Sequence, residues 1–278
     1  MAAGTGREAV PFPYRRGEGS IIIRHAACLG ALVAATPAIA QTNHGRQIWG
    51  SIQVTAPLAE DWFVTMDLQP RVSSANAATA PVSFIGPVLS YRQNESLIYA
   101  GGYLYAYIDG ERLPRGIHED RFFQQVGYRI GALGRLGIRG QTRLEQRRRS
   151  SGTEWNWRVA QTLLIARPLT SKESGGPVGV LSTELYWNLN PTDWGARRGY
   201  DDLWTFAGVQ LPVAEQVAFE LGYLNQRQAR LPTGTRNMNH AAVVGILIRL
   251  FPGVRAPKVV PTLPGPGIPP SKPAAQGQ

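Results

Sequence analysis

Past residue 40 the chain alternates apolar and polar positions with a period of two. Between Trp62 and Val72, the residues Trp62, Val64, Met66, Leu68 and Val72 share one parity, while Phe63, Thr65, Asp67, Gln69 and Arg71 share the other. Successive side chains of a β-strand point to opposite faces, so this is a strand with one apolar and one polar face. Leu136 to Arg147 is sharper: Arg139, Gln141, Arg143, Glu145 and Arg147 point one way, and Ile138, Gly140, Thr142 and Leu144 the other. A helix would scatter those charges around its circumference. Weaker versions recur at 47–56, 82–92, 97–108, 119–130, 155–167, 178–189, 202–211, 217–226 and 239–251. Pro, Gly, Asn, Asp and Ser punctuate the breaks, as at Pro57–Asp61, Gln93–Ser96, Pro168–Pro177 and Pro212–Gln216.

These eleven segments are about ten residues long, the length a tilted strand needs to cross a bilayer. The connections after every second segment, 73–81, 109–118, 148–154, 190–201 and 228–238, are longer and more polar than most of the others. Long loops at one end and short turns at the other are the outer-membrane barrel pattern. Aromatics near segment ends, among them Trp49, Trp62, Trp155, Trp187, Tyr91, Tyr103, Tyr107 and Tyr223, fit interfacial girdles. The pattern predicts an all-β chain forming a transmembrane antiparallel up-and-down β-barrel over residues 41–251. Because single-chain bacterial barrels have even strand counts, the expectation is ten or twelve strands. The main alternative is a soluble β-sandwich or lipocalin-like barrel, which would bury the apolar parity and leave the arginines in water.

The ends of the chain read differently. Arg15, Arg16 and Arg24 precede a small and apolar run from Ala26 to Ala35, then Pro37 and Ala38-Ile39-Ala40. That order is a secretory signal peptide over 1–40 with cleavage after Ala40. The run is too short for a bilayer-spanning helix, which takes about 20 residues. Residues 252–278 are Pro-rich and are expected to form an extended, disordered periplasmic tail. Export, alternation and barrel-length strands together place the protein in the cell outer membrane of a Gram-negative envelope.

A family resemblance follows from the order of local motifs. Trp49 is followed by Glu119-Asp120-Arg121-Phe122-Phe123-Gln124-Gln125, Arg143-Leu144-Glu145-Gln146-Arg147 and Trp157-Arg158. Glu184-Leu185-Tyr186-Trp187-Asn188, Glu220-Leu221-Gly222-Tyr223-Leu224-Asn225-Gln226 and Asn239-His240 complete the series. This order resembles the exported barrel family catalogued as domain of unknown function 2490, across roughly residues 46–251. The sequence departs from it near Asp201-Asp202, where Leu203-Trp204 follow in place of a polar Asn-Arg pair. The resemblance implies an outer-membrane β-barrel and supplies no reaction.

Charge narrows the chemistry. The formal net charge is +10, and only Lys172, Lys258 and Lys272 among the 29 basic residues are lysines. Loss of the signal segment removes four of those 29 and two of the 19 acidic residues, leaving +8. The single cysteine, Cys28, excludes a disulfide framework and a cysteine-clustered metal site. The arginines are spread along strands, so nucleic acid is not expected as a partner. The expected partners are outer-membrane lipid, lipopolysaccharide and the barrel-assembly machinery, with Arg147-Arg148-Arg149 opening an external loop toward lipid phosphates. Charge on the lipid face costs about 2–4 kcal/mol for an Arg at mid-depth. The candidate lumen-lining residues are therefore Arg71, Glu119, Arg121, Arg139, Arg143, Glu145, Arg147, Arg158, Glu184, Glu220 and His240, with Arg129 on the same parity. The Arg139–Arg143–Arg147 ladder is expected to pair with Glu145 and with Glu184 or Glu220.

Two functions compete. One is a structural or narrow barrel cross-linked by Arg–carboxylate pairs; the alternative is a small anion-selective channel for acidic solutes. An outer-membrane hydrolase would draw on His118 with Glu119 and Asp120, on Asp201 with Asp202, or on His240. No Gly-x-Ser-x-Gly, phosphate loop or His-Glu-x-x-His accompanies them. No enzymatic activity, cofactor or metal is expected.

Overall fold

The computed structural model describes residues 42–73, 82–108, 116–170, 176–230 and 235–250. The expected signal segment, 1–40, and the Pro-rich residues 252–278 fall outside the described residues. Twelve strands follow in chain order: β1 (Thr42–Pro57), β2 (Trp62–Gln69), β3 (Arg71–Ser73), β4 (Val82–Arg92), β5 (Leu97–Ile108) and β6 (Ile117–Leu133). The second half comprises β7 (Leu136–Arg149), β8 (Asn156–Pro168), β9 (Val178–Asn188), β10 (Gly199–Pro212), β11 (Val217–Arg230) and β12 (Arg236–Arg249). From β4 to β12 each strand pairs with its sequence neighbour, β2 pairs with β1 and β4, β3 pairs with β1, and β12 closes on β1.

The sheet has eleven staves, because β2 and β3 are two pieces of one stave that both pair with β1. Pro70 separates them, since proline cannot donate to the ladder. Its carbonyl instead accepts the Gly50 amide at 2.7 Å. A Cβ on Gly50 would lie 2.8 Å from Pro70 Cγ, so the close approach requires glycine there. The alternation survives the break: Phe63, Thr65, Asp67, Gln69 and Arg71 are all buried.

Eleven lies within the expected range of about ten to twelve, but the count is odd where an even one was expected, and the sheet is not wholly antiparallel. Up-and-down staves reverse direction at every step, so an odd number brings the first and last into the same direction. β1 and β12 accordingly run parallel, in register from Thr42↔Arg236 to Thr55↔Arg249. β1 extends five residues ahead of the predicted 47–56 segment and forms a full stave.

The outer parity is apolar. Ile48, Met66, Val72, Leu89, Leu181 and Val244 each present more than 40% of their surface outward. The inner parity holds the charged residues, the reverse of what a lipocalin-like arrangement requires. Inside, two apolar clusters separate polar zones. One gathers Trp49, Leu164, Val178, Val180, Phe206, Leu224, Ala241 and Val243; the other gathers Phe84, Val88, Ala100, Leu104, Ala106 and Phe123.

Candidate functional site

The charged residues meet on the inner wall of β6, β7, β8 and β10. Register brings them together: Glu119 stands opposite Arg149, Arg121 opposite Arg147, and Gln125 opposite Arg143, while Glu145 stands opposite Arg158. Glu119 is one hub. Arg147 Nε donates to its Oε1 at 2.7 Å, Arg121 Nη2 to the same oxygen at 2.8 Å, and Arg149 Nε to Oε2 at 2.8 Å. Glu145 is the other, with Arg158 Nη2 at 2.6 Å, Arg143 Nη1 at 3.4 Å and Arg121 Nη1 at 3.7 Å. Asp201 ties the hubs together, 2.8 Å from Arg158 and 3.5 Å from Arg147.

The Asp201 link has a local cause. The β9–β10 register shifts between Tyr200 and Asp202, a bulge that leaves Asp201 out of the pairing and turns it toward the arginines. Period-two reading cannot foresee this, because it assigns neighbouring residues to opposite faces. The Asp201-Asp202 doublet, beside the Leu203-Trp204 departure from the pattern the chain resembles, was the available signal.

Aromatic faces hold the guanidinium groups from the other side. Arg71 lies 3.6 Å from the Trp49 ring centroid and 4.7 Å from that of Phe84. Arg158 lies 4.3 Å from Tyr186, Arg121 4.8 Å from Phe84 and Arg143 5.1 Å from Phe123. A planar guanidinium can stack and bond in-plane at once, which explains why these positions carry Arg and never Lys.

Of the candidate lumen residues, Arg71, Glu119, Arg121, Arg143, Glu145, Arg147, Arg158, Glu184 and Glu220 are buried on the inner wall. The pairing differs from expectation in several places. Glu184 accepts from Thr162 Oγ1 at 3.1 Å and Tyr186 OH at 2.7 Å, and Glu220 from Gln210 Nε2 at 2.8 Å, so neither bonds the ladder. Arg139 is half-buried near the β6–β7 turn, opposite an exposed Arg129, and stands apart from the network. His240 corrects the sequence reading outright, because it lies on the outer face. Its ring is 3.0 Å from the His44 ring nitrogen and 2.5 Å from Tyr223 OH. β12 turns Ala241, Val243 and Leu247 inward as well as Ala242 and Val244 outward, so hydrophobicity could not tell its two faces apart.

Arg147 and Arg149 turn inward to Glu119, which leaves Arg148 alone of that trio outward. Two connections cover the network at this end. Trp194 sits 4.6 Å over Arg149 and 5.6 Å over Arg147, and its indole N–H donates to the Glu154 carbonyl at 2.8 Å. Asp193 accepts from the Thr153 amide at 2.8 Å, the Thr153 hydroxyl at 3.0 Å and the Glu154 amide at 3.3 Å. These donors, the Thr153 amide foremost, hold the Asp193 carboxyl below the usual carboxylate range.

The residues weighed for hydrolysis do not converge. Glu119 faces inward, while Asp120, bonded by Tyr103 OH at 2.5 Å, and His118, stacked on Tyr105, face outward. Asp202 is held by Gln226 Nε2 at 3.1 and 3.2 Å.

Comparison with known proteins bears on the family. The sequence profile of a family described as "Protein of unknown function (DUF2490)" matches residues 46–238. An uncharacterised protein of Methylorubrum extorquens is 32% identical over 238 residues, covering 82% of this chain and 100% of that protein. Among solved structures, an anion-selective porin from Comamonas acidovorans superposes with a TM-score of 0.33 at 12% identity, over 70% of this chain and 56% of the porin. That superposition is too loose to transfer any property.

Proposed function

Because the chain belongs to DUF2490, a family of proteins without an assigned function, we propose its role from the barrel itself: an outer-membrane barrel whose lumen is filled by its own side chains, serving as a structural element and not as a solute channel. One observation carries this reading. Residues that would line a pore have almost no surface in contact with water, 0% for Glu145, Gln210, Leu224 and Asn239 and 1% for Glu119 and Phe206. An aqueous channel would wet its wall. Eight-stranded barrels are filled by side chains, and sixteen to eighteen strands leave a channel. Eleven staves fall between, and here bulky Trp, Phe and Arg side chains occupy the space.

The outer surface supports the membrane location. Large apolar side chains stand exposed on the outer face of stave after stave, from Ile48 and Met66 to Leu181 and Val244, unlike the scattered single ones normal on a soluble monomer. Aromatics edge this belt, with Trp62 against Tyr91 near the short-turn end and Tyr107 and Trp155 near the other. On β5, Tyr99 and Tyr107 are separated by about 26 Å along the strand, or roughly 20 Å of depth at a 40° tilt. That approaches the roughly 25 Å apolar band of such barrels.

A second reading, an anion-selective passage, draws on the five arginines (Arg121, Arg143, Arg147, Arg149, Arg158) that face three carboxylates in the network. Fixed positive charge in a confined passage would favour anions, provided the wall opened. Planar-bilayer recording of the purified protein separates the two. The expected result is no steady conductance. Stable anion-selective openings would replace the structural reading with transport, and stable cation-selective ones would contradict both.

A further inference from the structure

The apolar outer belt is interrupted on one sector. At mid-height β1, β2 and β4 show Ile52, Met66 and Ile85 to the outside, and β9, β11 and β12 show Leu181, Leu221 and Val244. On β6, β7 and β8 the same outward parity carries Gln124, Gln146, Thr142 and Gln161, with Gln124 and Gln161 exposed. Register groups them, since Val126 stands opposite Thr142 and Thr142 opposite Gln161, while Gln146 lies between Phe122 and Trp157.

The side chains bond one another across the strands. Gln124 and Gln146 exchange amide bonds at 3.0 and 3.3 Å. Thr142 Oγ1 donates to Gln161 Oε1 at 2.7 Å, and Gln161 Nε2 donates to Tyr128 OH at 3.0 Å. A primary amide has two donors and a carbonyl with two lone pairs; Gln161 Nε2 also donates to the Thr162 carbonyl at 3.1 Å and so uses both donors, whereas Gln124 and Gln146 each spend only one in their mutual exchange. An unbonded amide N–H facing hydrocarbon costs several kcal/mol, so the second N–H groups of Gln124 and Gln146 make this sector a poorer lipid surface than its apolar neighbours. The sector is also shallow: a Cβ on Gly101, the cross-strand neighbour of Gln124, would meet nothing nearer than the Phe123 carbonyl at 3.6 Å. Small residues beside polar ones are how membrane-embedded surfaces approach closely and bond.

We propose that the outward face of β6–β8 packs against the same face of a second copy of this chain, forming a two-fold dimer in the membrane plane; this rests on the outer-membrane reading above. The chemistry selects a second copy. Amides and hydroxyls offer donors and acceptors together, so the row complements itself under a two-fold axis, as an isologous interface requires. At the long-connection edge of the same face, Asp120 and Arg148 stand in register, one charge of each sign, so rotation sets acid against base there as well.

The test uses single cysteines in the full chain, in a Cys28→Ala background because Cys28 is the only native cysteine. Gln124→Cys, Gln146→Cys and Gln161→Cys are each oxidised in intact outer membranes, with Val244→Cys on the opposite side as comparison. Disulfide-linked dimers are expected from at least one glutamine position and none from Val244→Cys. In detergent, Gln124→Leu/Gln161→Leu should weaken self-association about tenfold. Heat-modifiable barrels in the membrane fraction that never cross-link would overturn the dimer while leaving the membrane reading intact. Equal cross-linking at Val244→Cys, or a cross-linked band of another mass, would overturn it too. A soluble monomer recovered without detergent would overturn both.

Discussion

Arg158 and Arg143 both touch Glu145, yet their surroundings make them unequal. Arg158 is 2.6 Å from Glu145, 2.8 Å from Asp201 and stacked on Tyr186, whereas Arg143 reaches Glu145 only at 3.4 Å and otherwise donates to the Gln125 side-chain Oε1 at 3.0 Å. Removing one partner of a buried pair typically costs about 3–5 kcal/mol, because the other charge is left without compensation. Arg158→Ala strips both a hub and Asp201 of their nearest cation and should fall in that range. Arg143→Ala leaves Arg121 and Arg158 on Glu145 and should cost about 1–2 kcal/mol, closer to a single charged hydrogen bond. Urea unfolding of the purified barrel reads the difference; equal midpoints for the two variants would contradict the hub geometry.

At the scale of elements, the connections 150–155 and 189–198 act as one cap over the inner network. Asp193 joins them, accepting two amides and a hydroxyl from the opposite connection, and Asn190 adds a bond from Nδ2 to the Trp155 carbonyl at 2.8 Å. The Asp193 carboxyl is held below its ordinary value by those donors. A carboxyl with a lowered folded-state pKa stabilises the ordered state above its unfolded pKa and loses that contribution as pH falls through the folded one. Protection of the Thr153 and Glu154 amides against hydrogen exchange, corrected for intrinsic rates, should therefore be full at neutral pH and fall only below the usual carboxylate range. Asp193→Ala should remove it at every pH while the strands stay protected. Loss of protection already near pH 6 would point to a different clamp.

For the whole molecule, the odd stave count has a topological consequence. β1 begins at the end of the long connections, whereas β12 finishes at the end of the short turns. The two ends of the barrel chain therefore emerge on opposite sides, unlike in an even-stave barrel. On the proposed outer-membrane reading, with the long connections outside the cell, an epitope inserted before Thr42 should bind antibody on intact cells. One inserted after Leu250 should bind only after the outer membrane is permeabilised. Equal accessibility of both would mean an even number of crossings.

Much of this was legible locally. Alternation is a property of neighbouring residues, so the strands, their apolar outer face and the inward set from Arg71 to Glu220 could be read without any knowledge of closure. Turn residues located most of the breaks for the same reason. Of the partners of the inner charges only Glu145, which Arg143 contacts, was foreseen; the rest depend on register between strands: Glu119 gathers arginines from β6 and β7, and the other two expected acids, Glu184 and Glu220, bond neutral groups. Asp201 depended on a bulge, and His240 on a strand with apolar residues toward both faces. The count itself was present in the pattern as eleven segments, but its consequence was not. Whether a sheet closes, and with which strand direction at the seam, is decided by the summed twist and tilt of all staves, and no single segment of sequence carries that sum.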